Sequence, residues 1–400
     1  MLDVAIVGGG LCGLALAHSL QARGSDWRLF EARERFGGRV LTQRGADGTP
    51  VDLGATWYWP ATQPAMARLV ADLGLVSLEQ ADDGRVLHLG DPNRAPRVVA
   101  MSAQFAPADD ATAPATPGAV HGGARRVAGG MGAVVEALRR PLPDTRLRLG
   151  HALHAVVDHG DFVELHLRFG EADYAVHARH VVLALPPRVV ESQVQFVPVL
   201  APDLVDAMRA TPTWMATAAK AAFVYREAFW QADGLPGNAW IDHAQAMLCE
   251  VFDACGPEGA ALAGFCALDS ARRAHFALGR ELLLDSQMTM LFGALAADDA
   301  MLRARFWQDW ATEPQTCSPI DAAEEAQAGR HPDYGDPRLA QPLWDGRLYL
   351  AGSETARQGG GYLEGALSAA GRVRARLKAA DAAMPGRRRA ANDEADRAPA

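Results

Sequence analysis

Three glycines in the spacing Gly8-x-Gly10-x-x-Gly13, set between a short apolar run and a helical pattern, constrain this chain more than any other feature. Residues 3–7 (Asp-Val-Ala-Ile-Val) read as a buried strand. Residues 11–23 carry Leu11, Leu14, Ala15, Ala17 and Leu20 at helical spacing, and Trp27 to Glu31 reads as a second strand. Strand, glycine turn, helix and strand follow one another, and a lone glycine fingerprint would say far less. The glycines permit a tight turn and close approach of the backbone to a pyrophosphate. The helix N-terminus offers free N–H groups and a positive dipole end, and Glu31 is placed to accept hydrogen bonds from ribose hydroxyls. An acid at that position disfavours a 2′-phosphate, hence NADP, and leaves NAD and FAD both open.

The next residues favour the longer of those two. Glu31-Ala-Arg-Glu-Arg35-Phe-Gly37-Gly38-Arg39 places two more glycines and, among its three arginines, the guanidinium forks of Arg35 and Arg39 directly after the ribose position. Such a segment suits a second backbone approach to the same diphosphate, with arginines pairing phosphate oxygens. NAD has no obvious need of that clamp, whereas FAD does. Further on, Gly54-Ala55-Thr56-Trp57-Tyr58-Trp59 packs three aromatics after a glycine turn, too many to face one core, so at least one lines a pocket or a flat ring. Near the C-terminus a strand at 347–351 leads through Gly352-Ser353-Glu354 and Gly359-Gly360-Gly361 into a helix from about 362 to 379. Its inward stripe is Leu363, Ala366, Leu367, Ala370, Val373 and Leu377. Glycine at a helix start lets backbone N–H groups touch a planar ligand, and the dipole end there favours negative charge.

Between these ends the pattern predicts a helix over 65–73 and a mobile Pro/Ala/Thr loop over 106–118. A helix follows over 132–139, then strands near 145–157, 162–169 and 174–185. Residues 190–310 mix strands (219–225, 247–252, 260–267) with helices (203–210, 281–297).

Taken together, these segments resemble the flavin-dependent amine oxidase family, the monoamine and polyamine oxidase group. The resemblance covers most of the chain and includes a middle strip with Val127-Ala-Gly129-Gly130-Met-Gly132 and Val182-Leu-Ala184-Leu-Pro186-Pro187. It implies an α/β fold: a Rossmann-like FAD-binding domain, three-layered on a parallel sheet, with a mixed α+β substrate domain. The FAD domain would be discontinuous (1–78, 127–190 and 336–379), the substrate domain would take 79–126 and 191–335, and a disordered tail would follow from 380. By the same resemblance Gly8, Gly10, Gly13, Glu31, Gly37, Gly38 and Arg39 hold the ADP half, and Val156 contacts adenine through its backbone. Glu354 takes a ribityl hydroxyl, and Gly361, Tyr362 and Leu363 abut the isoalloxazine. Lys220, in an apolar strand where an unpaired ammonium is costly, would hold a water against the flavin. Tyr362 would form one wall of an aromatic amine cage, and Trp310 would close the flavin pocket.

The implied reaction is oxidation of a primary or secondary amine. Hydride goes to the flavin, the imine is hydrolysed to aldehyde or ketone, and O2 or an electron-carrier protein accepts the electrons. A flavin enzyme acting on a C–C bond and a non-catalytic FAD-binding protein are the alternatives. The chain departs from the family in three places. The segment shortly after Trp310, Ala-Thr-Glu-Pro-Gln-Thr-Cys317-Ser-Pro, holds no tyrosine to make the second cage wall. Cys317 stands near the site of covalent flavin attachment in surroundings that do not match it, so non-covalent FAD is expected. The stretch from Asp52 to Gly129 is short.

Composition excludes other classes. With 39 Lys and Arg against 48 Asp and Glu the chain is acidic, unlike a general nucleic-acid binder. Five cysteines without a CxxC pair indicate neither a disulfide framework nor a zinc site. His151 and His154 sit on a strand and make no convincing metal pair, and no GxSxG occurs. No apolar run approaches the ~18–20 residues of a membrane helix. The N-terminus runs straight into the glycine turn, so a soluble, cytoplasmic protein is expected.

Overall fold

The apolar N-terminal run becomes β1 (Leu2–Val7), the helical pattern α1 (Leu11–Gln21) and the next run β2 (Trp27–Phe30). The structure, a computed structural model, describes residues 1–103, 106–107, 114–325 and 331–382. β1 pairs in parallel with β2 on one side, Ile6 opposite Leu29, and with the strand Ala172–Leu183 on the other, Ile6 opposite Val182. Leu147–Arg148 extends this set beyond β2, and Leu348–Leu350 joins it beside Ala172–Leu183. Strands buried on both faces need no polar alternation, which is why these runs read as continuous apolar stretches.

Alternate residues of β1 serve two cores. Val4 and Ile6 pack with α1 and the helices Pro64–Asp72, Gly132–Arg139 and Leu363–Ala382. Ala5 and Val7 pack on the opposite face with Val163, Leu165 and Leu167 and with residues of the helix Pro202–Arg209. On the last helix Leu363, Ala366, Ala370, Val373 and Leu377 are buried as the stripe predicts, with Leu367 partly covered.

The sheet is mixed rather than parallel throughout. The N-terminal half of Ala172–Leu183 pairs antiparallel with Val163–Phe169, which pairs antiparallel with His151–Asp158, so one long strand joins a parallel set to a meander. The single strand expected over 145–157 is two, because Gly150 (φ +75°) turns the chain out of the parallel edge; its N–H donates to Arg33 O at 3.0 Å. The helix expected over 281–297 stops at Phe292, where Gly293 (φ +85°) ends it. Part of the expected loop at 106–118 is ordered: Ala106–Pro107 pairs with Met101–Ala103, and Gly118 N–H donates to Asp82 O. Residues 108–113 lie outside the described residues, as does the expected disordered tail beyond 382, while 380–382 end the last helix.

A second eight-stranded sheet runs Leu302–Asp309, Ala219–Tyr225, Ala260–Cys266, Leu248–Asp253, Ala239–Ile241, Arg85–Leu89, Arg97–Ala103 and Ala106–Pro107. One face packs on the helix Arg280–Phe292 through Phe223, Tyr225 and Leu262. The other presents Ala222, Val224 and Ala263 to Leu41, Val51 and Leu53. Among the described residues no helix is long and apolar enough to cross a membrane.

The two ends of the chain are joined by a cap supplied from far along the sequence. The helix Pro64–Asp72 has no side-chain cap of its own, and the Glu364 carboxylate accepts Ala65 N–H at 3.0 Å and Met66 N–H at 2.9 Å. Glu364→Ala is expected to cost about 2 kcal/mol by leaving those donors unpaired, read as a lower midpoint of thermal unfolding. An unchanged midpoint would remove the cap from the account.

Candidate functional site

The glycine turn after β1 is built for close backbone approach. A Cβ on Gly13 would sit 2.0 Å from Gly8 O, and one on Gly8, whose φ is +104°, 2.5 Å from Ala184 O. α1 starts at Gly10 without a side-chain cap, so its first N–H groups face outward for an anion. Gly37 stands beside this turn, bridging Gly10 and donating its N–H to Gly9 O at 2.8 Å. The buried Glu31 carboxylate accepts Gly9 N–H (2.7 Å) and Arg33 N–H (2.9 Å), which fixes it at the end of β2.

Arg39 connects three distant segments. Its guanidinium pairs with Glu354 at 2.7 Å and donates to Ser353 Oγ (2.9 Å) and Trp214 O (3.0 Å). Glu354 is wholly buried, and its Oε1 has no hydrogen bond of good geometry among the described residues despite the ion pair. The backbone of Arg39 accepts Ala55 N–H at 3.0 Å, and Gly54 lies so close that a Cβ there would stand 2.0 Å from Arg39 O.

That same turn receives Lys220. Its Nζ donates to Gly54 O (2.9 Å) and Thr56 Oγ1 (2.6 Å). The rings of Phe265, Phe252 and Trp57 lie 4.5, 5.4 and 5.8 Å from the ammonium. Lys220 is only 3% exposed, and burial pushes its pKa down to about 8 against the raising effect of Asp52 and Glu250. Asp52, which accepts from Thr42 Oγ1 and Met131 N–H, is pushed up to about 6 by the same burial. Trp310 supports the turn from below, donating Nε1–H to Leu53 O at 3.0 Å.

Beyond Lys220 an aromatic wall gathers around the half-buried Tyr362. His331 stacks on it at 4.5 Å with a 4° tilt, and Trp214 and Trp59 meet it edge-on at 6.0 and 6.4 Å. Trp214 and Tyr334 cover the Gly361 backbone. These rings gather around Tyr362 although the segment directly after Trp310 holds no tyrosine. Trp214, His331 and Tyr334 carried no motif and were missed, although Asp333-Tyr334-Gly335 is a visible turn signal.

Gly8, Gly10, Gly13, Glu31, Gly37 and Gly38 therefore meet at one turn. Arg39, Gly352 and Glu354 meet at a second point, with Gly54, Ala55, Thr56, Trp57 and Lys220 beside them. Two expected contacts do not assemble. Arg35 donates to Val40 O (3.2 Å) and Phe36 O (3.4 Å), so its guanidinium closes its own turn rather than facing a phosphate. Val156 is fully buried with its backbone between Leu165 and Phe196, and the segment that reaches Glu31 is Gly150–His151, with His151 N–H donating to Glu31 O. No cluster of metal-ligating side chains occurs among the described residues. The glycine cradle, the uncapped helix start and the under-satisfied Glu354 oxygen fit a long dinucleotide such as FAD.

Comparison with known proteins agrees. The profile of the flavin containing amine oxidoreductase family matches residues 11–118 and 116–377. The chain is 25% identical to amine oxidase [flavin-containing] B of Sus scrofa over 93% of its own length and 85% of that protein. It is 24% identical to amine oxidase [flavin-containing] of Danio rerio over 93% and 84%. Its fold is that of a putrescine oxidase solved with putrescine bound (TM-score 0.71, 21% identity, 94% of this chain and 99% of the other). It is also that of cyclohexylamine oxidase from Brevibacterium oxydans IH-35A (TM-score 0.72, 18% identity, 95% and 99%).

Arg39→Met leaves the Glu354 carboxylate buried and unpaired, with an expected loss of about 3–5 kcal/mol. Adding Glu354→Gln to that variant should return part of the loss. A double-mutant cycle on unfolding midpoints reads this directly, and additive losses would refute the coupling.

Proposed function

The chain belongs to the flavin-containing amine oxidoreductase family, a family of FAD-dependent oxidoreductases, and from that premise we propose that it oxidises a primary or secondary amine with O2 as acceptor. The observation that carries this reading is a buried lysine, donating into the Gly54 turn and surrounded by aromatic rings, next to the cradle that suits FAD. The relatives reported above are named for amines, which favours C–N over C–C oxidation. Residues of 1–78, 127–190 and 336–379 hold the cofactor in this proposal, and 79–126 with 191–335 shape the substrate side.

Bound FAD supplies the two-electron acceptor for the C–H bond beside nitrogen, giving an imine that water hydrolyses and, with O2, peroxide. The chain's own groups do the rest. Gly8 to Gly13 and the start of α1 receive the diphosphate, Glu31 takes the ribose, and Glu354, ion-paired with Arg39 through Oε1 and bonded by Ser353 through Oε2, keeps lone pairs to accept a hydroxyl. Tyr362 with Trp214, Trp59 and His331 forms an apolar, π-rich cleft that attracts an approaching ammonium yet favours the neutral amine. Lys220, pushed down to about 8, exchanges a proton near neutral pH at its Nζ. Trp310 acts through the turn it supports and is a positioning residue. The cofactor is held without a covalent bond in this proposal: the Cys317 thiol is buried and pushed up to about 11, which makes it a poor nucleophile.

Anaerobic mixing with an amine panel should bleach the flavin absorbance, and a cofactor that no amine reduces would overturn the proposal. Lys220→Met should keep the yellow cofactor and lower turnover by about 10²-fold or more. The sign of the pH effect follows from the depressed lysine: below about 8 Lys220 is charged and cannot accept a proton, above it the amine is free. Wild-type turnover should rise through that value and the Met variant should not. Identical profiles would remove Lys220 from the mechanism.

A further inference from the structure

In the proposed reaction Lys220 takes up a proton and must release it before the next turnover. Its ammonium is buried, and its close contacts among the described residues are Gly54 O, Thr56 Oγ1 and the faces of Phe265, Phe252 and Trp57. A carbonyl oxygen only accepts, and a ring face holds no proton to pass on. Thr56 Oγ1 is the one group of these that both accepts and donates. Its own hydrogen is loosely held, because the acceptors within reach, Gly54 O at 3.3 Å and Asp52 O at 3.5 Å, are distant.

Thr56 also lines a small cavity with Asp52, Arg126, Gly130, Phe252 and Glu258. Its volume of about 20 Å³, counted for water centres, has room for one molecule. Asp52 Oδ1 accepts from Thr42 Oγ1 and Met131 N–H, while Oδ2 only shares that N–H at 3.0 Å, so one side of the carboxylate is free to accept. Gly130 leaves the carboxylate uncovered, since a Cβ there would stand 3.0 Å from Oδ1. Arg126 is 9% exposed; its Nη2–H donates to Cys255 O, and its Nε is buried with no hydrogen-bond partner among the described residues. A buried donor and a buried acceptor on the wall of a cavity of this size are the partners an internal water needs. Glu258, exposed on the turn between the strands Leu248–Asp253 and Ala260–Cys266, stands at the rim.

We propose that this cavity holds a water that carries protons away from Lys220, with Thr56 as the link on one side and Asp52 as the acceptor on the other. The proposal rests on the reading that Lys220 exchanges a proton during amine oxidation. Lys220 Nζ gives a proton to Thr56 Oγ1 as the Thr56 hydroxyl hydrogen moves to the water, and the water gives one of its own to Asp52 Oδ2. Thr56 and the water end as they began, and Asp52 stays protonated until solvent at the rim takes the proton. Thr56 and Asp52 act through Lys220 and are positioning residues. The charged groups that face the cavity are Asp52, Arg126 and Glu258. Glu250 acts on Lys220 beside Asp52, and Asp253 acts on Arg126. Burial pushes Asp52 up to about 6 and Lys220 down to about 8, which brings acceptor and donor close in proton affinity.

Two measurements test this, the first independent of turnover. A high-resolution crystal structure of the holoenzyme should show a water within about 3.2 Å of Arg126 Nε and Asp52 Oδ2, and a dry cavity overturns the proposal. The second follows anaerobic flavin reduction in H2O and D2O by the amine that bleaches the wild type fastest. Thr56→Val should slow reduction about tenfold or more and raise the H2O-to-D2O rate ratio, because proton departure then limits the rate, and Thr56→Ser should restore both. Asp52→Asn should lower the plateau of the pH profile and move its rise below about 8, because a charge that favours the Lys220 ammonium is gone. A Thr56→Val rate equal to wild type, a slow one with the wild-type isotope ratio, or an Asp52→Asn profile lowered without a shift overturns the relay. Where Asp52→Asn does not fold, the Thr56 series decides. Bleaching by an amine together with a dry cavity strikes the relay alone, whereas a flavin that no amine bleaches strikes the proposed reaction.

Discussion

The buried ion pair between Arg39 and Glu354 is the constraint on which the rest of this structure depends. It joins a turn thirty-odd residues from the N-terminus to a turn near the C-terminus, and its backbone half anchors Gly54 and Ala55. Gly54 in turn accepts the Lys220 ammonium, so a strand of the second sheet is located through the same arginine. Removing two charges from water is expensive, and their attraction offsets that cost only when geometry and further hydrogen bonds are good. Here Ser353 bonds both partners, accepting from Arg39 and donating to Glu354 at 2.8 Å. A buried pair of this kind is a weak source of stability. Its value lies in specifying one arrangement of three chain segments.

Much of that arrangement was legible because its signals are local. The glycine spacing, the acid after β2 and the apolar stripe of the last helix each follow from steric or periodic rules acting within one turn or one element. The positions of Gly8 and Gly13 carry their own explanation, since a side chain at either would collide with backbone. What failed depended on partners distant in sequence. Arg35 looks like a phosphate ligand by spacing, yet nothing in the sequence says that Val40 O lies within its reach. Val156 belongs to the strand His151–Asp158, which starts beside Glu31 but carries this residue inward between two neighbours. The division of 145–157 came from Gly150, a break that strand periodicity alone passes over.

The substrate side was legible only in part, and for a different reason. Lys220 stands out in a run of apolar residues, but the row it belongs to is a property of strand register. Trp214 lies in one loop and His331 and Tyr334 in another, far along the chain, so their convergence on Tyr362 and Gly361 appears only in three dimensions. The aromatic wall replaces a tyrosine that the segment after Trp310 does not provide. In the proposed function, the cage therefore depends on ring placement rather than on one residue type.

Burial also gives the proposed amine chemistry its physical basis. Lys220, Asp52 and Glu250 are each displaced by desolvation toward neutrality, to about 8, 6 and 7. Three groups that water would hold fully charged are thereby brought close to their titration points near physiological pH. A site poised in this way exchanges protons at little energetic cost when a charged ligand enters. An amine arrives as a cation and reacts as a neutral molecule, so it needs a proton acceptor in an environment that disfavours charge. The second sheet provides that environment through the paired alignment of Lys220, Phe265 and Glu250, with an aromatic ring between two ionisable groups of opposite sign.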